Sequence, residues 1–381
     1  MTILYHFRTR GAGAEAVHIS GIVRAFERMG HRVILSSPTG VDPRQTAGST
    51  PFAKDSPAIL ARIARHLPRA IFELLELLYN IPAFIRNLRL ARAGGLDLIY
   101  ERHAFFLFST ALLASLSRIP LAVEVNELVG DPRIRAQPLF SPFVRWTDRF
   151  VFQRARLIVV VSPHLKRRVL EYNIPEDRIL ILPNAVSEED LAIPPALSPP
   201  LVPSLKPDTF VLGFTGWLVE WHRLDFLIQA LAATEFSSIL LLIIGEGPLQ
   251  LPLESLARDL KVQVRFAGPL PHSSIPAALR TMDACVVPHS NAYRSPIKLF
   301  EYMAQERPIL APRTEPIEVV VEDGKEALLF TPLDVESFRA AVRKLLSSKD
   351  LRMLLGANAR RLIQERHTWE HNARRVLDAM N

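Results

Sequence analysis

A single cysteine in 381 residues, Cys285, rules out an internal disulfide framework and a cysteine-based zinc site, and it fits a reducing compartment. Long apolar runs are also missing. The longest uncharged stretch, from His103 to Ser117, falls short of the roughly 20 residues a membrane-spanning helix requires and reads as a buried helix. The opening MTILYHFRTR has the pattern of a buried strand and lacks the charged lead and cleavage site of a signal peptide. There is no Gly-x-Ser-x-Gly and no Walker phosphate loop, which sets aside serine hydrolases and P-loop nucleotidases. Nor is there an Asp-x-Asp triplet to hold a divalent ion on a diphosphate, so no metal site is expected.

What is present describes a globular chain of two ordinary domains: 49% apolar residues, 22% charged, and 30 prolines that punctuate many short elements. The formal charge of +7 is unevenly spread. Residues 1 to 186 hold 25 Lys and Arg against 15 Asp and Glu, whereas the remainder holds 21 against 24. A basic front half implies an anionic partner, either a membrane surface or an anionic acceptor. Nucleic acid is not expected, because no nucleic-acid motif accompanies the charge.

In order, Thr2 to Phe7 reads as a buried strand, Arg8 to Glu15 as a turn carrying Gly11 and Gly13, Ala16 to Met29 as a helix, and GHRVILSSP as a second strand. This is the opening of a βαβ unit, whose first turn lies at the ligand-binding edge of a parallel sheet. His18, on that helix, reads first as a satisfied core histidine and second as a ligand contact. From Ser56 to Ala93 the pattern is helical and amphipathic, with Ile59, Ile63 and Leu67 on one face and Arg62, Arg65 and Arg69 on others. Covering a domain core is the first expectation for these helices; lying on a membrane interface is the second. LDLIY is a strand that delivers Arg102 and His103 to the sheet's ligand edge, and PLAVEVNEL one that delivers Asn126 and Glu127. Those residues are the candidates for the acceptor side of a site. Glu127 either orients an acceptor hydroxyl or serves as a helix-start carboxylate. Prolines crowd residues 187 to 207, which read as a linker between a first domain at 1–186 and a second at 208–366. The second domain repeats the glycine-turn entrance in FTGWLVEWH, with Gly216 and Trp217, and again at Gly247.

The stretch NAYRSPIKLFEYMAQERPILAP, Asn291 to Pro312, is the most informative. It reads as a loop, a helix and a short strand, with Ser295 capping the helix and Pro296 at its first position. The amides of Ile297, Lys298 and Leu299 then point off a positive helix end, which suits phosphate. Glu301, deeper in the helix, can lean back toward a ribose diol one sugar length beyond the phosphates. A diphosphate next to a ribose is a nucleotide, and an ordinary capped helix is the plain alternative.

SPIKLFEYMA followed by RPILAP resembles the donor-binding signature of glycosyltransferase family 4, the retaining sugar transferases of the GT-B fold. The resemblance implies an α/β chain of two Rossmann-like domains facing each other across a cleft, with a terminal helix at 367–381 packing back on the first. It implies a nucleoside diphosphate sugar, UDP- or GDP-linked, as the donor substrate, with no cofactor. It assigns Glu301 to the ribose, Leu270 to the neighbourhood of the base, and Gly13 to a turn facing the donor phosphates. Tyr293 stands where relatives carry a first glutamate, Asn126 where many carry a histidine, and Glu306 where a helix-ending glycine is usual. Trp217 and His222 replace an arginine and a lysine on the diphosphate, a substitution similar to that of a Trp-His loop subgroup. The positive charge is then expected from Lys298, Arg223 and a protonated His222. The expected site is therefore Lys298, Arg223, His222 and Glu127 for the chemistry, with Gly13, Gly216, Trp217, Gly247, Leu270, Tyr293, Ser295, Pro296, Ile297, Leu299 and Glu301 around the donor. The expected reaction is transfer of the sugar, with retention, to a carbohydrate or lipid-linked acceptor by a cytoplasmic enzyme that is peripheral on the membrane. A sugar-nucleotide epimerase, an inverting transferase and a binding protein without turnover are the alternatives.

Overall fold

A computed structural model describes residues 1–8, 13–46, 68–132, 136–192, 201, 206 and 208–380. Gly11, the amphipathic turns bearing Ile59, Arg62, Ile63, Arg65 and Leu67, and most of the expected linker lie outside the described residues. The chain divides into two units, Met1–Leu182 with Glu370–Asn381, and Pro183–Trp369.

The first unit is built on six parallel strands in the order β2-β1-β3-β4-β5-β6. These are β1 Thr2–His6, β2 Arg32–Ser36, β3 Leu98–Arg102, β4 Leu121–Val125, β5 Leu157–Val160 and β6 Ile179–Ile181. The second has β7 Phe210–Thr215, β8 Ile239–Ile244, β9 Val264–Gly268, β10 Ala284–Val286, β11 Ile309–Pro312 and β12 Leu328–Phe330, ordered β12-β11-β10-β7-β8-β9. Runs such as ILLLII are strands because parallel sheets carry helices on both faces, so both sets of side chains are apolar. Two clusters line the second sheet, one through Leu212, Phe214, Leu241 and Phe338, the other through Leu242, Cys285, Phe300 and Met303.

In the second sheet β7 comes first and its neighbours β8 and β10 lead the chain away in opposite directions. Ligands bind beyond the carboxyl ends of strands at such a reversal, here after Thr215 and Val286. The helix expected from Ala16 begins earlier, at Gly13, and ends at Arg28. Residues 187–191, expected in an extended linker, instead form a short 3-10 turn with a capping box at Ser187. Gln305 Nε2 donates to the carbonyl of Asp190 and Arg360 to that of Leu191, so this turn belongs to the second unit.

The helices Arg69–Leu78 and Asn80–Arg92 do not cover the core with their apolar faces. Their buried residues are Glu73 in the first and Asn80, Ala83 and Asn87 in the second, while their leucines and isoleucines are largely exposed. No helix among the described residues is long and apolar enough to cross a membrane.

Candidate active site

The site is assembled at the strand ends of the second unit, where glycine is required twice over. Gly216, just after β7, has φ +142°, and Gly245, just after β8, has φ +138°. A Cβ on Gly245 would lie 2.0 Å from the Gly216 carbonyl oxygen, and one on Gly247 2.5 Å from that of Leu218. These loops touch backbone to backbone. Gly247 is therefore spent on holding the β7 and β8 loops together, whereas Gly216 keeps an open side toward Lys298, whose Nζ a Cβ would meet at 2.9 Å.

The helix carrying Lys298 runs from Ile297 to Ala304, with Pro296 as its N-cap and no side-chain cap. This corrects the expected role of Ser295. Its hydroxyl instead accepts the Asn184 amide at 2.9 Å, and its carbonyl accepts Asn184 Nδ2 at 2.6 Å. The amide of Leu299 donates to the Pro296 carbonyl in a tight first turn, which leaves Ile297 and Lys298 as the amides preceding the helical ladder. Tyr302 fixes the helix against β7, because its hydroxyl accepts the Thr215 amide at 2.9 Å and pairs with the Thr215 hydroxyl at 3.1 Å.

Lys298 Nζ lies 4.0 Å from the Phe214 ring centroid and 3.4 Å from His222 Nδ1. Burial lowers the pKa of this lysine to about 7, with Glu301 opposing the shift. Part of the side chain still meets solvent. His222 is held neutral, its pKa pushed down to about 2 by burial and then by the charges of Lys298 and Arg294. A protonated His222 is thus not the source of charge that the sequence led us to expect in the empty site. Arg223 is also otherwise engaged: its guanidinium lies on the Asp225 carboxylate at 3.0 Å. Arg294 takes its place near the site, over the rings of Tyr293 at 5.2 Å and Trp221 at 5.7 Å.

Trp217 packs edge-on against Trp221 with centroids 6.3 Å apart, and His289 Nδ1 donates to the Trp221 carbonyl at 3.0 Å. Tyr293, at the position of the missing glutamate, is buried. Glu301 faces His272, carboxylate oxygen to Nε2 at 3.7 Å. Burial raises the Glu301 pKa, and His272 and Lys298 act against that rise while Asp190 adds to it. Leu270 is half-buried against the same core. Lys298, Gly216, His222, Trp217, Tyr293, Glu301 and Leu270 therefore come from separate segments onto one sheet edge. His272, Arg294, Asn184 and Tyr302 are contributors that no local pattern singled out.

In the first unit Gly13 opens the first helix. Arg102 and His103 are corrected: both are at least nine-tenths buried and are bound by other side chains. Arg102 pairs with Glu124 and lies 2.7 Å from His18 Nδ1, and Asn126 Nδ2 donates to Glu124 at 2.6 Å. Burial alone would raise the Glu124 pKa, but His18 and Arg102 hold it below the usual carboxylate value. His103 Nε2 lies 2.8 Å from Asp148, which raises the imidazole pKa against the effect of burial. Asn126 and Glu127 remain partly exposed at the end of β4.

Among the described residues no group of three or more His, Cys, Asp and Glu is placed to hold a metal ion. His367 and His371 stand four apart in sequence, but His367 precedes the helix Trp369–Met380 and packs edge-on to Phe300, so they do not form a helical ligand pair.

Two units, each built on a six-stranded parallel Rossmann-like sheet, the second bearing a glycine-bound loop pair, a helix end with a lysine beside it and a glutamate one turn deeper, make up a two-domain GT-B fold. The family model for "Glycosyltransferase Family 4" matches residues 15–190, and that for "Glycosyl transferases group 1" matches residues 202–362. The chain belongs to the family 4 glycosyltransferases. It is 24% identical to a D-inositol 3-phosphate glycosyltransferase of Saccharomonospora viridis, over 97% of this chain and 89% of that one. It is 22% identical to an alpha-D-kanosaminyltransferase of Streptomyces kanamyceticus, over 66% and 68% of the two chains. Among solved structures, Anabaena Alr3699/HepE in complex with UDP matches with TM-score 0.73 at 16% identity, covering 100% of this chain and 99% of that one. Sucrose-phosphate synthase of Thermosynechococcus elongatus matches with TM-score 0.70 at 17% identity, covering 99% and 98%.

Proposed function

We propose that this glycosyltransferase moves a sugar, with retention of anomeric configuration, from a nucleoside diphosphate sugar to a carbohydrate or lipid-linked acceptor in cell-surface polysaccharide or glycolipid synthesis. The observation that carries the reading is Lys298 in the first turn of the helix Ile297–Ala304, its Nζ 4.0 Å from the Phe214 ring centroid and 2.9 Å from where a Cβ on Gly216 would stand, with Glu301 one turn deeper. Negative charge grows on the diphosphate as the glycosyl bond breaks. A cation and helix amides already aimed at that place stabilise the transition state more than the ground state. Arg294, over the Tyr293 and Trp221 rings, supplies the second positive charge in place of Arg223. The leaving diphosphate takes the acceptor proton, so no side-chain base is required, and Glu127 orients the acceptor. A uridine diphosphate donor is favoured by the UDP bound in Alr3699/HepE. The Trp217 and His222 pair supports assignment to the Trp-His loop subgroup. Electrostatics from the protein replace a metal and no cofactor takes part; activity that requires added magnesium or manganese would contradict this. We place the enzyme in the cytoplasm, peripheral on the inner membrane face.

Thermal stabilisation by UDP, GDP, ADP and their sugars tests the donor: a ligand at a hundred times its dissociation constant stabilises by about 2.7 kcal/mol. Nucleoside diphosphate release must accompany binding. Stabilisation without release identifies a binding protein instead, and no stabilisation by any nucleotide removes the reading.

A further inference from the structure

The helix Arg69–Leu78 is inside out. It buries Glu73 and turns Ile71, Leu74, Leu75 and Leu78 to solvent, and the next helix continues the stripe with Ile81, 60% exposed, and Ile85. Residues at i, i+3, i+4 and i+7 share one helix face, so these side chains form one continuous surface. The inversion is built in by hydrogen bonds. Glu73 accepts the amides of Leu139 at 2.7 Å and Phe140 at 3.1 Å. Asn80 donates to the Phe106 carbonyl at 2.7 Å and accepts the amides of Phe108 and Ser109.

The Glu73 contact sets a second exposed group beside the first: Leu139, Phe140, Phe143 and Trp146, the last 57% exposed. Phe143, Trp146 and Phe150 stack in a row along the helix Ser141–Arg154, with centroids 5.5 and 6.0 Å apart. Below them Phe143 stacks on Phe106, and Leu77 packs on the buried cluster of Phe105, Phe106, Val129 and Val144. Of the 19 large apolar residues exposed in the chain's described part, 10 lie in these two short stretches. A patch this concentrated on a firm base marks an interaction surface.

Charge identifies the occupant. The acidic groups here face inward or are neutralised: Glu73 on backbone amides, Glu76 on Arg8 at 2.9 Å, Asp148 on His103. The exposed ions are Arg69, Arg145, Arg149 and Arg154, the last lying over the Phe150 ring at 3.5 Å. A second copy of the chain meeting this patch about a two-fold axis would set arginines against arginines. An anionic lipid surface accepts both components, the aliphatic and aromatic side chains in its interface and the arginines among its headgroups. We propose that this face, formed by residues 69–85 and 139–154, inserts into an anionic membrane leaflet. The proposal rests on the membrane part of the proposed function and names the surface that does it.

The test is sedimentation of the full chain with phosphatidylglycerol-containing and pure phosphatidylcholine vesicles over a salt series, with light scattering of the protein alone. Wild type should bind the anionic vesicles, less so as salt rises. Arg145→Glu and Arg149→Glu should each weaken binding about fivefold or more, the factor matching one lost surface cation. Leu74→Glu with Trp146→Glu should abolish it, whereas Leu251→Glu, at an exposed leucine of the other unit, should change nothing. All these positions are solvent-exposed, and unchanged melting temperatures confirm folding. Equal binding to both vesicle types, binding unaffected by the patch variants, or a dimer that Leu74→Glu dissociates without vesicle binding would overturn the proposal. UDP-dependent stabilisation in the same variants reads the donor site separately. Its absence beside intact vesicle binding counts against the donor reading alone.

Discussion

Raising the pH from 7 to 9 should strip the proton from Lys298 and, with it, much of the affinity for a diphosphate. The ammonium is packed against Phe214 and His222, and burial lowers its pKa to about 7, so near neutrality the empty site holds the lysine in both forms. A bound diphosphate favours the charged form and pulls the proton back on. Affinity then falls with a slope that approaches tenfold per pH unit above 7, and by up to about fifty-fold between pH 7, where half the lysine is charged, and pH 9, one unit corresponding to 1.36 kcal/mol. UDP itself is fully ionised over most of this range, since a terminal phosphate titrates near 6, so the slope belongs to the protein. Titration calorimetry with UDP in buffers of different ionisation enthalpy measures both the slope and the uptake of the proton. Stability of the unliganded protein should move the other way. The folded pKa lies below the ordinary lysine value of 10.5, so between 7 and 10.5 the unfolded chain binds more protons and this group's contribution rises with pH. That contribution is lost as pH falls through 7. Lys298→Arg should flatten both slopes, because a guanidinium stays charged. A UDP affinity independent of pH in wild type, or the same slope in Lys298→Arg, would refute the argument.

Three other substitutions separate the parts of the site. Glu301→Ala should weaken UDP binding by about 2 to 3 kcal/mol, the range for hydrogen bonds to a charged group, with the melting temperature little changed; unaltered affinity in calorimetry would remove Glu301 from the ribose. Gly245→Ala forces a Cβ to within 2.0 Å of the Gly216 carbonyl at φ +138°, and the loops must part at a cost of about 3 kcal/mol, read as a lower denaturation midpoint together with lost UDP binding. Arg102→Met leaves Glu124 buried beside His18 without its guanidinium and should destabilise by about 3 to 5 kcal/mol in chemical denaturation; a fully stable variant with impaired transfer would instead return Arg102 to the acceptor side.

Elements set by short-range pattern were legible in the sequence. The apolar runs of β7 and β8, the glycines after them and the helix carrying Lys298 and Glu301 all lie within windows of about ten residues, where periodicity and turn chemistry decide. Roles set by distant partners were not. Ser295 looked like a cap because Ser-Pro usually opens a helix, but Asn184, 111 positions away, takes its hydroxyl. Arg223 looked like the spare cation of the loop until its neighbour Asp225 was found to hold it, while Arg294 reaches the site through ring contacts that leave no mark in spacing. Arg102 and His103 stand at the ligand edge of their sheet as expected, yet Glu124 and Asp148 absorb both. Position along a strand was readable; which way a long polar side chain turned was decided by carboxylates on other elements.

Glu306 shows the opposite case, a departure from pattern that only the backbone explains. It has φ 57°, the left-handed region that glycine enters without strain, so the glycine usual at this place in relatives answers a real demand that this chain meets with a glutamate. The inverted helices make the same point at larger scale. Their period was correct and their face was not, because periodicity says that leucines share a side but not whether that side meets the core. Burying Glu73 and Asn80 stabilises the fold only because backbone amides and carbonyls of residues 106–109 and 139–140 wait for them. With the polar residues satisfied inside, the apolar ones are left for a partner outside the fold.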